Sequence, residues 1–133
     1  MANVDIALLV IRIIIGTFFI KHGYHKFKDP HEMAGWLDKL GYKPGIFWSW
    51  VLIITEFFGG VFMLLGIAPR IFALLMSVTM IQGIYHRKYV KRLHFVDGWE
   101  INYVTLASLI ALILLGGGMY SLGYLFGLNV FLS

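Results

Sequence analysis

The sequence predicts an all-α protein, an integral membrane four-helix bundle with a short interfacial helix after the first span, and three observations carry that prediction. Four apolar stretches, Val4–Tyr24, Phe47–Leu65, Ile71–Tyr85 and Ile101–Leu115, reach or approach the length of about 20 residues that a helix needs to cross the hydrocarbon core. The 133 residues are 59% hydrophobic and 14% charged, against about 25% charged in soluble domains. The basic residues gather in two connections: Lys21, Lys26, Lys28, Lys39 and Lys43 fall in 21–46, and Arg87, Lys88, Lys91 and Arg92 in 86–100, whereas the turn between spans two and three holds Arg70. With alternating spans these connections share one side. The bias of Lys and Arg in short connections then places them in the cytoplasm, with both termini outside and the chain in the plasma membrane. Spans and connections use almost all of residues 1–133, which read as one membrane domain with no room for a soluble catalytic one.

The first span has no basic n-region and ends in His22-Gly23-Tyr24-His25-Lys26 without a small-residue cleavage site, so it reads as a retained helix and not a signal peptide. Asp29-Pro30-His31-Glu32 then supplies an N-cap, a proline at the first helical position and a glutamate three residues after the cap. Met33, Trp36, Leu37 and Leu40 follow at helical spacing, and Gly41 is a stop. The spacing predicts a short helix that lies in the interface or packs over the bundle mouth, in either case as a lid. Phe47-Trp48-Ser49-Trp50 opens the second span with an aromatic belt, and Gly66 with Ala68-Pro69-Arg70 forms the turn into the third. Beyond the fourth span Gly116-Gly117-Gly118 ends the helix, and the uncharged tail Met119–Ser133 is expected to pack along the outer interface.

Ionisable residues within apolar spans point to function, because a charge at a helix centre costs about 2.5–3.5 kcal/mol. Counting from the inner ends of spans one and two, Arg12 and Glu56 lie at depths that differ by roughly 5 Å, which predicts an Arg12–Glu56 ion pair. Gly16 shares a face with Arg12 and Gly60 one with Glu56, so backbones can approach closely around that centre. Gln82 and His86 are one turn apart at the inner end of span three, and Glu100 begins span four; a His86–Glu100 pair would handle protons. Because polar residues concentrate in the inner half, a cavity open inward or sideways is expected, and a straight pore is not. His22 and His25 lack a third ligand at fixed spacing, so no metal site is expected. No histidine pair suits axial haem ligation. The chain holds no cysteine, so thiolate, disulfide and iron–sulfur chemistry would have to come from a substrate or partner. The net charge of +4 is a topology signal and does not imply a nucleic-acid partner.

Taken together, Arg12 with Gly16, His22-Gly23-Tyr24-His25-Lys26-Phe27, Glu56-Phe57-Phe58-Gly59-Gly60 with Leu65-Gly66 and Arg70, Gly98-Trp99-Glu100, and Gly116-Gly117-Gly118-Met119-Tyr120-Ser121-Leu122 resemble the DoxX family over nearly the whole chain. The resemblance implies a small four-helix membrane protein related to a subunit of a thiosulfate:quinone oxidoreductase. Other members are linked to membrane complexes that handle thiol or oxidative stress. It also implies that Arg12, Lys26, Glu56, Arg70 and Glu100 occupy the family's characteristic charged positions. The last motif departs in having Gly117 where a proline is common and no aspartate soon after Ser121.

The function this suggests is a quinone-facing subunit of a membrane redox complex, with the electron donor on a partner protein. Quinone is the cofactor implied, none being covalently attached. The expected catalytic residues are Glu56, Arg12, His86 and Glu100, and the expected quinone pocket is Arg12, Glu56, Gly16, Gly60 and Gln82. The alternative is a non-enzymatic accessory or assembly subunit whose buried charges fix helix register. A small-anion carrier ranks last, since broken midspan helices and internal repeats are lacking.

Overall fold

The computed structural model describes residues 2–128. Helix α1 spans Ala2–Phe27, α2 Pro30–Lys39, α3 Gly45–Leu65, α4 Pro69–Tyr85, α5 Glu100–Leu115 and α6 Leu122–Leu125. The four long helices match the expected spans to within three residues at each end. α1, α3 and the segment Phe95–Leu115 are each long and apolar enough to cross a membrane. α4 has 17 residues, about 26 Å of helix, and continues into a π-helical turn at His86–Val90 that lengthens it.

α1 packs mainly on α3, and α4 on α5, so the bundle is two helical hairpins set against each other. Leu8, Ile15, Phe19, Met63, Ala73, Met76, Met80, Leu109 and Leu112 form the core between them. The polarity is inverted relative to a water-soluble bundle: Ile14, Leu74, Val104 and Leu114 are more than half exposed, while Arg12, Ser49, Glu56, Ser77, Asn102 and Thr105 are buried. A bundle with apolar residues outside and polar ones inside is built for lipid, where no water satisfies an outward polar group. The protein is therefore a membrane protein, with a basic end where α2 sits and an opposite end formed by the glycine-rich turn.

α2 begins where the sequence places it, with Asp29 Oδ1 accepting from Glu32 N at 3.2 Å and Pro30 in the first turn, and it ends before Gly41, whose φ is +92°. Three tethers hold it across the basic end. Ser49 Oγ donates to Pro30 O at 2.7 Å, Gly45 N donates to Asp38 Oδ1 at 2.8 Å, and Trp36 Nε1 donates to His86 Nδ1 at 2.7 Å. Ala34 and Leu37 are buried beneath it. Of the two placements open to this helix, packing over the bundle mouth is the one adopted.

At the opposite end the tail turns back onto the bundle. Gly116 ends α5, Met119 N donates to Asp5 Oδ1 at 3.0 Å, and Gly123 N donates to Gly66 O at 3.1 Å. Ser121 caps α6 by accepting from Tyr124 N. Residues 119–123 are thus held on the bundle, Tyr124, Leu125 and Phe126 stay more than half exposed, and 129–133 lie outside the described residues.

Candidate functional site

The expected Arg12–Glu56 ion pair does not form. The depth count took residues 24 and 47 as level inner ends, but α1 runs on to Phe27 and packing of glycines fixes a different register. A Cβ on Gly16 would stand 2.9 Å from Gly60 O, and one on Gly23 would stand 2.7 Å from Phe57 N. Arg12 therefore lies level with Leu64, eight residues or about 12 Å along α3 from Glu56.

The partner of Glu56 is Lys26, whose Nζ lies 2.8 and 2.9 Å from the two carboxylate oxygens. The sequence placed Lys26 in a connection. Because α1 extends through it, Lys26 stays three residues beyond Gly23, on the face that meets α3 beside Phe57. Its side chain is 24% exposed and that of Glu56 is 3% exposed. The pair thus reaches from the basic mouth inward, with the lysine stem covering apolar wall and its ammonium on the carboxylate.

Lys26 and Glu56 line a cavity of about 590 Å³ that opens at the basic end. Phe18, Phe19 and His22 of α1, Leu52 of α3, Met80 and Gly83 of α4, and Ile101 and Asn102 of α5 form its walls, and Met33 and Trp36 of α2 roof it. The sequence-based expectation of a polar cavity at this end and a lid above it matches this arrangement. Its volume lies within the roughly 300–1,000 Å³ of small-molecule sites, and its lining combines apolar side chains such as Phe18, Phe19, Leu52 and Met80 with many polar and charged ones, among them His22, His25, Lys28, Asp29, Glu32 and Arg87.

The remaining expected site residues divide. Gln82 lines the cavity and donates to Tyr42 Oη at 3.1 Å. His86 is at its rim, but it accepts from Trp36 and does not face Glu100. The expected His86–Glu100 pair is absent because Glu100 Oε1 caps the turn before α5, accepting from Asp97 N at 3.0 Å, where Asp97 holds a left-handed φ of 59°. Arg87 secures the same turn through Gly98 O at 2.7 Å. Gly16 and Gly60 sit at the α1–α3 contact, away from the cavity.

Arg12 is fully buried at the far end and donates to Leu64 O at 3.4 Å and to Tyr120 O. Leu64 O belongs to the last turn of α3, where unpaired carbonyls carry negative partial charge that suits a guanidinium. Gly66, at φ +74°, gives Arg12 its space, for a Cβ there would stand 2.2 Å from Nη1. Arg12 is a clamp joining α1, the α3 terminus and the tail, and it contributes nothing to the cavity wall.

The expected site left out Lys26, Trp36 and Asn102, although the family resemblance already gave Lys26 as a characteristic charged position. The first two had a signal, in the helical phase linking Gly23 to Lys26 and in the apolar stripe of α2. Asn102 had none beyond being an amide in the first turn of an apolar helix.

The sequence model of the DoxX family matches residues 7–86, which contain Arg12, the lid helix and the Lys26–Glu56 pair. A protein of Bacillus subtilis (strain 168) named "Putative oxidoreductase CatD" is 30% identical over 118 residues, covering 89% of this chain and 85% of the relative. No solved structure matches the chain. More than half of the chain lies within the family match, and with this relative beside it the conclusion is direct: the chain belongs to the DoxX family.

Proposed function

We propose that the cavity at the basic end binds a quinone ring and that the protein is the quinone-facing subunit of a membrane redox complex, with electrons supplied by a centre on a partner protein. One observation carries this reading: a buried carboxylate, paired with a single lysine, on the wall of a cavity in a membrane bundle that Phe18, Phe19, Leu52 and Met80 line together with polar groups. A lipid-soluble ring needs apolar walls, and its carbonyl oxygens need donors. The Lys26 ammonium, held on the buried carboxylate of Glu56, is one such donor on the cavity wall.

A quinone held here would supply two-electron, two-proton chemistry, its electrons coming from the partner's centre and its protons from the cavity's titratable groups. Lys26 stabilises negative charge gained by the ring oxygen nearest it, as a fixed cation in a low-dielectric site does. Glu56 is within hydrogen-bond distance of Lys26 and can take up or release a proton as the lysine shifts toward the ligand. His22, His25 and Glu32 also line the cavity and are titratable groups through which protons would pass to the aqueous side. The basic end faces the cytoplasm of a plasma membrane in this reading, and both termini face outward. The relative's name, an oxidoreductase, agrees with the reaction class.

The test is purification in nanodiscs, identification of co-purifying proteins and lipid-soluble molecules, and titration with a short-chain quinone. Saturable binding to the wild type is expected. Glu56→Gln is expected to stop quinone-dependent turnover while leaving complex assembly intact. Loss of assembly by this variant, with no quinone bound by the wild type, would establish the accessory role instead.

A further inference from the structure

Asn102 is at odds with the other buried polar side chains of the bundle. Ser49 and Ser77 are satisfied, donating to Pro30 O and Ala73 O at 2.7 Å each. Asn102 is 8% exposed, yet its Oδ1 has no hydrogen-bond partner and its Nδ2 meets only the thioether of Met80, at 3.6 Å. A buried amide group left without a hydrogen-bond partner destabilises the fold. The other side-chain atoms in this condition among the described residues, Arg12 Nε and Arg70 Nε, belong to residues that do not line the cavity, whereas Asn102 does.

The neighbouring helix makes room for this amide. A Cβ on Gly83 would stand 2.5 Å from Asn102 Nδ2, so any larger residue of α4 would displace the group. Asn102 and Gly83 belong to the α4–α5 hairpin, and the Lys26–Glu56 pair belongs to α1 and α3. The cavity thus carries a buried polar side chain on each hairpin, Glu56 and Asn102, besides its more exposed polar lining, and Phe19 and Met80 are among its apolar walls.

We infer that Asn102 is the second hydrogen-bonding anchor of the cavity and holds the ring oxygen remote from the Lys26–Glu56 pair. This rests on the quinone reading and adds to it a ligand with two oxygens at opposite ends of one ring. An amide suits that place for a chemical reason. It donates through Nδ2 to a carbonyl and accepts at Oδ1 from a hydroxyl, so it holds both the oxidised and the reduced ligand without changing its own protonation. A carboxylate would favour one form, and an apolar residue would hold neither.

The test is calorimetry on the full chain in nanodiscs with menadione, which has two opposed ring carbonyls, and 1-tetralone, which has one. The wild type should bind menadione about tenfold more tightly than tetralone. Asn102→Leu should weaken menadione binding by about the same factor and leave tetralone unchanged, with a melting temperature equal to or above the wild type's. Gly83→Ala, which displaces the amide without altering Asn102, should reproduce the loss. Wild-type affinity for menadione in a folded Asn102→Leu or Gly83→Ala variant would overturn the assignment and leave the quinone reading standing. Equal wild-type affinity for the two ligands would do the same without any variant. Failure of the wild type to bind menadione at all would overturn both.

Discussion

Lys26 Nζ sits between the two carboxylate oxygens of Glu56, at 2.8 and 2.9 Å, and this contact joins the last turn of α1 to the middle of α3. The pair is asymmetric in exposure, since the carboxylate is enclosed and the ammonium reaches the mouth. Removing the cation strands a buried charge, whereas removing the charge from the carboxylate leaves a lysine that can extend to water.

Lys26→Met should therefore destabilise the protein by about 3 kcal/mol, and Glu56→Gln by about 1 kcal/mol. The double variant should be more stable than Lys26→Met alone, because no unpaired charge remains. Unfolding titrations in mixed detergent check this order. A Lys26→Met protein as stable as the wild type would show that the pair contributes nothing.

The close approach of α1 and α3 sets the register on which that pair depends. Gly23→Ala places a methyl group 2.7 Å from Phe57 N, an overlap that the backbone of α3 cannot avoid without shifting, and should cost about 1–3 kcal/mol. Gly35 lies inside α2 with nothing within 4 Å of its Cβ position, so Gly35→Ala should stabilise the protein by about 0.5–1 kcal/mol through helix propensity alone. Melting temperatures of the two variants should move in opposite directions.

The spans, the lid helix and its capping were legible because each is a local property: length of an apolar run, a cap followed by a proline, a stripe at helical spacing. The partner of Glu56 was not, because it depends on how far α1 slides along α3. That offset is set by Gly16 on Gly60 and Gly23 on Phe57. An error of about 7 Å, a little over one helical turn, exchanged Lys26 for Arg12. Glu100 was misplaced for a related reason, since the left-handed Asp97 turns the chain so that the carboxylate folds back on its own turn. Asn102 could not be singled out, because an unpaired amide is recognised only once its neighbours are in place.

Arg12, though charged and within an apolar helix, should behave as a structural residue. Arg12→Leu removes the donors to Leu64 O and Tyr120 O and should free the tail, making the segment Gly116–Ser121 sensitive to protease in nanodiscs. Menadione affinity of the folded fraction should stay within about twofold of the wild type, because Arg12 lies outside the cavity wall. A tenfold loss of affinity with the tail still protected would return Arg12 to the binding site.

One of the three hydrogen bonds that tether the lid can be broken by a single proton. Trp36 Nε1 donates to His86 Nδ1, which accepts only when the imidazole is neutral. Partial burial, with the positive charges of Lys91 and Arg87, holds His86 below its ordinary value of 6.5. An imidazole released from the lid returns toward that value and so binds a proton more readily than the closed form does. The contribution of the latch is therefore complete above about pH 6.5 and is lost as pH falls through the lowered value of the closed form. In protein carrying 5-fluorotryptophan, the fluorine resonance of Trp36 should shift between pH 7.5 and 5.5. His86→Phe keeps an aromatic ring against Trp36 and has no titrating nitrogen, so its Trp36 resonance should be independent of pH across that range. A wild-type resonance that does not move, or a variant whose resonance moves equally, would show that His86 does not control the lid.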